Sequence, residues 1–532
     1  MSVLSQPRKY WRLAWGLREF LREPMTLEQS RQIIKQRMEN RERNLLYIVK
    51  NAIYENASSP YLELLRLSGC EYGDFERLVL SDGIESALKR LYEEGIYLSI
   101  EEFKGKKELA RFGKTFNFSE SDFNNPFISP HIEIRSGASR SSGTRSIYDF
   151  DFVSETWTAY FVPMLEAFGV SNIPIIVWFP VLPGIGPLML LILAKSGNFT
   201  LKWCSFIDHK SSEYSLTNRI GTNYIVYMGR LFGARFPSPE YIPINDAWKI
   251  ADWVADRIED SAGCCIRTYT SAAVRICQAA KQKGLDIAGA KFIIGGEPIT
   301  QAKRREIEST GASLHPLYGF LECGLTAAGC FNPSVTDDYH FFKDSVALIQ
   351  HKRDAHHAEA SVDAFLFTTL TSLAPKVLLN VESGDYGTIE TRSCGCVFEE
   401  LGFTDHIHNI RSFDKLTGEG VTFVGTDLLR LIEEVLPSKF GGTSTDYQIL
   451  EEEDESGHTR INVIVSDDVG EINEVDLVQT VLSEIGKGEE WYQMMVEGLS
   501  QANTIKVKRT QPYVTARGKL LPLHIRNTNR VK

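Results

Sequence analysis

Short groups of residues, far apart in the chain, carry side chains or bare backbone suited to holding a nucleotide. Ser141-Ser142-Gly143-Thr144 offers hydroxyls and unencumbered amides that can converge on anionic oxygens, although the GxxxxGK[ST] pattern of a Walker loop is absent. Gly295-Gly296-Glu297-Pro298 ends an apolar run that begins at Lys291. Further on, Tyr318-Gly319-Phe320-Leu321-Glu322 joins a flat ring, able to lie against a purine, to a hard oxygen donor suited to magnesium. Asp385, in Ser383-Gly384-Asp385, reads as a turn aspartate that can accept from both hydroxyls of a ribose. Taken singly, each has a plainer reading: linker, core tyrosine, solvated glutamate, turn former. A separate constellation is Cys394-Gly395-Cys396, with Cys330 ten residues before His340. Thiolates one residue apart are too close-set for a standard zinc finger yet can share a tetrahedral ion; buried thiols are the alternative.

The elements that must position these groups follow from hydrophobic period. Residues 291–330 read as strand, glycine turn, helix with Thr300 as N-cap, strand and glycine turn. Such a βαβ unit puts amides and a carboxylate at the C-terminal ends of parallel strands, where open α/β sheets bind ligands. The alternation extends over 127–410, with strands expected at 131–134, 264–268, 364–369 and 376–380 and helices at 157–168 and 272–283, giving a large α/β core. Residues 1–126 read as a helical extension packed on that core: one long helix over 27–56, others at 84–94 and 100–112, a polar linker at 119–126, and no chemistry of its own. Residues 411–532 read as a small α+β domain. The uncharged stretch 173–194 is long enough to cross a bilayer, but its prolines and glycines divide it into a buried strand (175–179), a loop and a buried helix (188–195), so no membrane span is expected.

Composition narrows the function classes. The chain has 532 residues, 43% hydrophobic and 24% charged, with a formal charge of -11 and no long basic run. Nucleic acid is therefore not an expected partner, since it demands a concentrated cationic face. Nine cysteines are too few for a disulfide framework, and residues 1–22 contain no uninterrupted apolar region. A cytoplasmic location is expected. The apolar and aromatic residues Trp178, Phe179, 183–187 and 269–273 are candidates for a pocket that would take an aromatic or aliphatic acid.

The order of the motifs says more than any one of them. SSGT, GGEP, YGxxE, SGD, an Arg-x-x-Asp break at Arg411 and Asp414, and a terminal Gly518-Lys519 together resemble the adenylate-forming superfamily, and within it the phenylacetate–CoA ligase-like branch. The resemblance covers about 127–532 and implies an α/β adenylation core (127–410) with a small, mobile α+β C-terminal domain (411–532). It implies that Ser141, Ser142, Gly143 and Thr144 hold the β- and γ-phosphates of ATP, and that Gly295, Gly296, Glu297 and Pro298 line the adenine pocket. Tyr318 and Gly319 would lie against the purine, Glu322 would bind Mg2+, Asp385 the ribose, and Arg411 the ribose or phosphate. Lys519 would be the adenylation lysine brought in by the C-terminal domain. A structural Zn2+ on Cys330, His340, Cys394 and Cys396 is implied as well. The expected activity is ATP-dependent activation of a small carboxylic acid as an acyl-adenylate, then transfer to a thiol, either CoA or the pantetheine of an acyl carrier protein. Transfer to an amine or a protein cysteine, and a degenerate non-catalytic homologue, are the alternatives; a homodimer is left open. Departures from the family pattern are Arg145-Ser146 after the phosphate loop, Leu321 before the glutamate, Phe413 at the hinge and Glu419 before Gly420.

Overall fold

The computed structural model describes residues 6–135, 145–171, 173–212, 214–260, 263–354, 361–412, 415–418, 421–424, 431–442, 446–454, 458–485, 490–513 and 523–525. The phosphate loop 141–144, Phe413, Asp414, Glu419 and Lys519 lie outside these residues.

Apolar side chains recur at helical spacing through the N-terminal part, and it folds as α1 (Gln6–Leu21), α2 (Leu27–Glu39), α3 (Arg41–Ile48), α4 (Pro60–Leu67), α5 (Tyr72–Asp82), α6 (Ile84–Glu93) and α7 (Ile100–Phe103). The single helix expected over 27–56 is interrupted. The Asn40 side chain donates to the Gln36 carbonyl (2.7 Å), competing with the helical ladder and separating α2 from α3. The helix expected over 100–112 stops after one turn, and β1 (Leu109–Arg111) pairs with β2 (Lys114–Phe116) as a hairpin. Its turn residues Phe112 and Gly113 have φ of 54° and 72°, the left-handed pair that a two-residue hairpin requires. Phe-Gly is not a usual signal for that turn. The expected linker at 119–126 is also corrected: Phe123 and Asn125 are buried, and Asn125 donates to the carbonyls of Ser372 and Ala374.

The remainder is built on one twelve-stranded sheet. A side hairpin of β3 (Ile132–Arg135) and β4 (Arg145–Tyr148) precedes it. Then come β5 (Ile175–Trp178), β6 (Thr200–Ser205), β7 (Pro239–Tyr241), β8 (Cys265–Tyr269), β9 (Lys291–Gly295) and β10 (Ser313–Phe320), which pair in parallel in the order β7-β6-β5-β8-β9-β10. All of β5 is buried, the pattern of a strand covered on both faces. Beyond β10 the pairing turns antiparallel through β11 (Gly324–Gly329), β12 (Tyr339–Phe341), β13 (Val346–Asp354), β14 (Ser361–Thr369), β15 (Val381–Thr391) and β16 (Asp405–Ser412), in the order β10-β11-β12-β16-β15-β14-β13. The strand expected at 376–380 does not form. Lys376 instead donates to the Glu120 carbonyl (2.8 Å) and Asn124 (2.9 Å), and Asn380, at φ 50°, turns the chain into β15.

The stretch 173–194 is divided as expected into β5 and a buried helix, Gly186–Lys195, started by Pro187. Among the described residues no helix is long and apolar enough to cross a membrane. C-terminal residues make a separate four-stranded sheet, in the order Ile505–Arg509, Thr459–Val465, Tyr447–Glu453, Leu523–Ile525.

The extension is bound to the sheet by more than apolar contact. Arg37 of α2 donates through Nε (2.9 Å) to Asp344 and pairs with it through NH2 (2.8 Å), while the Tyr160 hydroxyl donates to the other carboxylate oxygen (2.7 Å). Asp344 is fully buried, so removing the guanidinium strands a carboxylate in the core. Replacing Arg37 with Leu should lower the unfolding free energy in urea by about 3–5 kcal/mol. A loss below about 1 kcal/mol, the size of an exposed pair, would mean that this contact does not fasten the extension.

Candidate active site

The site lies where the parallel strands end. Residues following β8, β9 and β10 and those at the start of β15 and the end of β16 line one cavity of about 300 Å3. Gly295, Gly296, Glu297, Pro298, Tyr318, Gly319, Glu322, Asp385 and Arg411 all border it, so the groups expected near adenine, ribose and magnesium converge although the sequence spreads them from 295 to 411.

Local chemistry explains why these residue types stand there. Gly296 has φ 81°, and a methyl group on it would lie 2.9 Å from the Tyr269 ring. Gly319 allows β10 and β11 to approach so closely that a Cβ would strike the Gly324 carbonyl. Glu297 does not point freely at a ligand. Its carboxylate accepts from the Ser271 amide (3.1 Å) and hydroxyl (2.8 Å) at the N-terminus of the helix Thr270–Lys283, where a negative charge is stabilised.

Tyr318 donates its hydroxyl to Asp385 (2.9 Å), and Ser412 donates to the other oxygen of that carboxylate (2.7 Å). Asp385 is not in a turn, as its Ser-Gly-Asp setting suggested, but inside β15 opposite Ser412. Gly384, at φ 81°, gives that stretch of strand the composition of a turn. Arg411 donates from NH1 to Asp337 (3.1 Å) and to the Ile410 carbonyl (2.7 Å).

The extension, expected to carry no chemistry, reaches the cavity with a charged side chain. Lys104, just after α7, donates to Glu322 at 2.7 Å and pairs with Glu120 at 3.6 Å. Both partners of the Lys104–Glu322 pair are 11% exposed at the side chain. Burial alone would lower the Lys104 ammonium, but Glu322 and Glu120 outweigh it and raise it. Lys376, which also pairs with Glu120, is lowered by burial. A lysine in a helical surface-type segment gives no sequence signal for such a role; only the fold brings it there. Leu321 presents an apolar side chain to the cavity, and its carbonyl accepts from Tyr148 (2.9 Å).

Of the expected acyl-pocket residues, Phe179, Gly184, Ile185 and Tyr269 border the cavity. Trp178 does not: it faces the other side of the sheet, and its indole donates to the Ile242 carbonyl (3.3 Å).

The cysteine constellation also assembles. Cys330 follows β11, His340 is in β12, and Cys394 and Cys396 lie in the loop after β15; their ligand atoms are all within 4.8 Å of one another. His340 Nδ1 is 2.7 Å from the Phe403 carbonyl and so donates to it, leaving Nε2 as an acceptor 3.1 Å from Cys396 Sγ and 3.4 Å from Cys394 Sγ. Cys396 is held far down, chiefly by the Cys330 thiol and further by His340, while Cys330 itself is pushed up. Cys330 also belongs to a group with Asp338 and His406, which hydrogen-bond to each other at 2.7 Å.

No protein-family model matches the chain, and no curated protein sequence matches it. Among solved structures it is similar to a 2-hydroxyisobutyryl-CoA ligase, in complex with 2-HIB-AMP and CoA in the thioesterification state, at 13% identity and a TM-score of 0.52, over 95% of this chain and 91% of that chain. This chain has the fold of the adenylate-forming enzymes. An amide bond synthetase from Marinactinospora thermotolerans is another match, with 11% identity and a TM-score of 0.40, over 90% of this chain and 92% of that one. In this fold, Lys104 reaches the cavity from the N-terminal extension.

Lys104→Ala should destabilise the protein by about 3–5 kcal/mol, because Glu322 then loses its nearest cation in a buried place. Adding Glu322→Gln to that variant should recover a large part of the loss, read as a coupling energy in a urea double-mutant cycle. Strictly additive effects would contradict a direct pair.

Proposed function

We propose that the chain is an ATP-dependent acid ligase that forms an acyl-adenylate and passes the acyl group to a thiol, CoA or a carrier-protein pantetheine. One observation carries this reading: GGEP, YGFLE, Asp385 and Arg411 border a single cavity at the carboxyl ends of β8, β9 and β10. A carboxylate needs no protein nucleophile, since it attacks the α-phosphorus itself; the protein's work is placement and charge neutralisation.

In this reading the Asp385 carboxylate, already oriented by Tyr318 and Ser412, binds the ribose hydroxyls, and Arg411, steadied by Asp337, reaches ribose or phosphate. Gly296 leaves the backbone bare beside the purine. Glu322 would hold magnesium as one carboxylate ligand, the nucleotide phosphates supplying others, which is how magnesium is usually bound. Lys104 then places a second cation beside the same phosphates. Ser141, Ser142, Gly143 and Thr144 would bind the β- and γ-phosphates, and Lys519 would stabilise charge on the carboxylate and α-phosphate.

The donor set of Cys330, His340, Cys394 and Cys396 fits zinc: sulfurs and one imidazole with its tautomer fixed by the Phe403 carbonyl. Zinc there would tie the loop after β15 to the β11–β12 turn and take no part in the reaction.

Two measurements test these assignments. Acid-dependent exchange of labelled pyrophosphate into ATP should occur with at least one acid of a broad panel. Lys519→Ala should reduce that exchange by a factor on the order of a thousand while ATP still binds, since a missing transition-state charge contact costs about 3–4 kcal/mol. No exchange with any acid would remove the ligase reading in favour of a nucleotide-binding homologue. Elemental analysis should find about one zinc per chain, and Cys396→Ser should release it and lower the melting temperature; a chain purified metal-free with unchanged stability would dismiss the site.

A further inference from the structure

A guanidinium taken out of water needs an anion, and among the described residues Arg267 has no carboxylate partner. It stands on β8, 5% exposed, and borders the cavity. Strand alternation puts it on the same face as Cys265 and Tyr269, toward Phe179 and Leu317. NH1 donates to the carbonyls of Thr268 (3.1 Å) and Ile293 (3.2 Å), the guanidinium lies 4.9 Å from the centre of the Phe179 ring, and Nε has no hydrogen-bond partner. Burial pulls the group down to about 10, with only Tyr269 and Cys265 acting against it.

Every carboxylate that borders the cavity has partners other than Arg267. Glu297 is held by Ser271, Glu322 by Lys104, Asp337 by Arg411, Asp385 by Tyr318 and Ser412, and Glu382 by His351 and Arg353. Of the other two lining arginines, Arg411 is held by Asp337 and Arg135 pairs with Glu133 at 3.5 Å. A second donor borders the same cavity: Trp157, 5% exposed, whose indole Nε1 has no hydrogen-bond partner either. The cavity is also bordered by apolar residues, Phe179 against Arg267 and Ile185, Leu317 and Leu325 besides. A purely apolar acid bound against these walls would leave the Arg267 guanidinium without an anion.

We propose, resting on the ligase reading, that the acid is a dicarboxylic acid: one carboxylate faces the nucleotide end to react, and the other is bound by Arg267 with Trp157, across a hydrocarbon spacer. This sharpens the aromatic or aliphatic acid expected from the lining residues alone. The spacer answers to the apolar walls and the second carboxylate to the cation among them. A charge-assisted hydrogen bond in such a place is worth a factor of about ten to a hundred against an analogue that lacks the anion.

The experiment compares aliphatic monocarboxylic acids with α,ω-dicarboxylic acids of equal carbon number on the full chain. Calorimetry in the presence of a non-hydrolysable ATP analogue reads binding, and pyrophosphate exchange reads chemistry. Dicarboxylic acids should bind about ten- to a hundredfold more tightly, chiefly as a lower KM in exchange. Arg267→Met should erase that preference while leaving exchange with monocarboxylic acids in place, Arg267→Lys should keep part of it, and Trp157→Phe should reduce it less. Equal binding of both classes to the unmutated chain would overturn the proposal, whether or not the variants fold. So would an Arg267→Met that weakens both classes alike, because the arginine would then serve the reacting carboxylate. A binding preference without any exchange would keep the dicarboxylate site and remove the ligase reading; exchange confined to monocarboxylic acids would do the reverse.

Discussion

The constraint on which the site depends is the reversal of pairing at β10. That strand is parallel to β9 on one side and antiparallel to β11 on the other. A parallel strand must be left by a crossover, whereas an antiparallel partner can follow at once through a tight turn. The Leu321–Glu322 turn therefore sits at the carboxyl edge of the parallel half, beyond Leu317, which pairs with Gly295 where β9 ends. On the other side, β15 and β16 run so that the start of one and the end of the other reach the same edge, bringing Asp385 and Arg411 to it. The parallel half supplies the bare glycine backbone after β9, and the antiparallel half supplies Asp385 and Arg411.

Much of this was legible in the sequence, for a physical reason. Glycine at positive φ, an N-capping threonine and a fully buried apolar strand each leave a local signature, and so strand, glycine turn, capped helix and returning strand fold as the pattern of 291–317 predicts, whereas Gly319, expected in a turn, lies inside β10 and β11 follows where no strand was expected. What depended on distant partners was not legible. Asp385 carries turn composition yet belongs to a strand, because Ser412 pairs with it, and Arg411 with Tyr386, across the sheet. Lys376 lies in a run of strand-like composition yet is drawn out of it by Glu120 and Asn124. Arg267 was silent for the same reason: one arginine in an apolar strand gives no sign of whether an acid will stand opposite.

The extension shows how a segment that looks like packing comes to hold a site. α2 is fixed through Arg37 to Asp344, and α6 is stitched to the sheet by the Asn380 amide, which donates to the carbonyls of Leu88 and Ile96. Leu98 bridges to Val381 at the start of β15. These attachments fix the backbone that leads into α7, and Lys104 just after it then reaches Glu322 with less freedom left to lose. Ordering a lysine normally costs side-chain entropy, but here most of that ordering is done by neighbouring contacts. Positive charge is thereby set in place beside the acid of the YGFLE turn by residues that share no motif with it.

The pairing of β15 with β16 has a consequence for how this protein can vary over generations. Asp385 faces Ser412 by register, and side chains alternate along both strands. Inserting or deleting a single residue between Val381 and Asp385, or between Ile410 and Ser412, would turn the carboxylate to the opposite side of the sheet and part it from Tyr318. Exchanges of one residue for another leave the ladder intact. The lineage is thus free to alter the identities of most residues here but not their number, so its two strands act as a ruler whose length selection must conserve even where the letters drift.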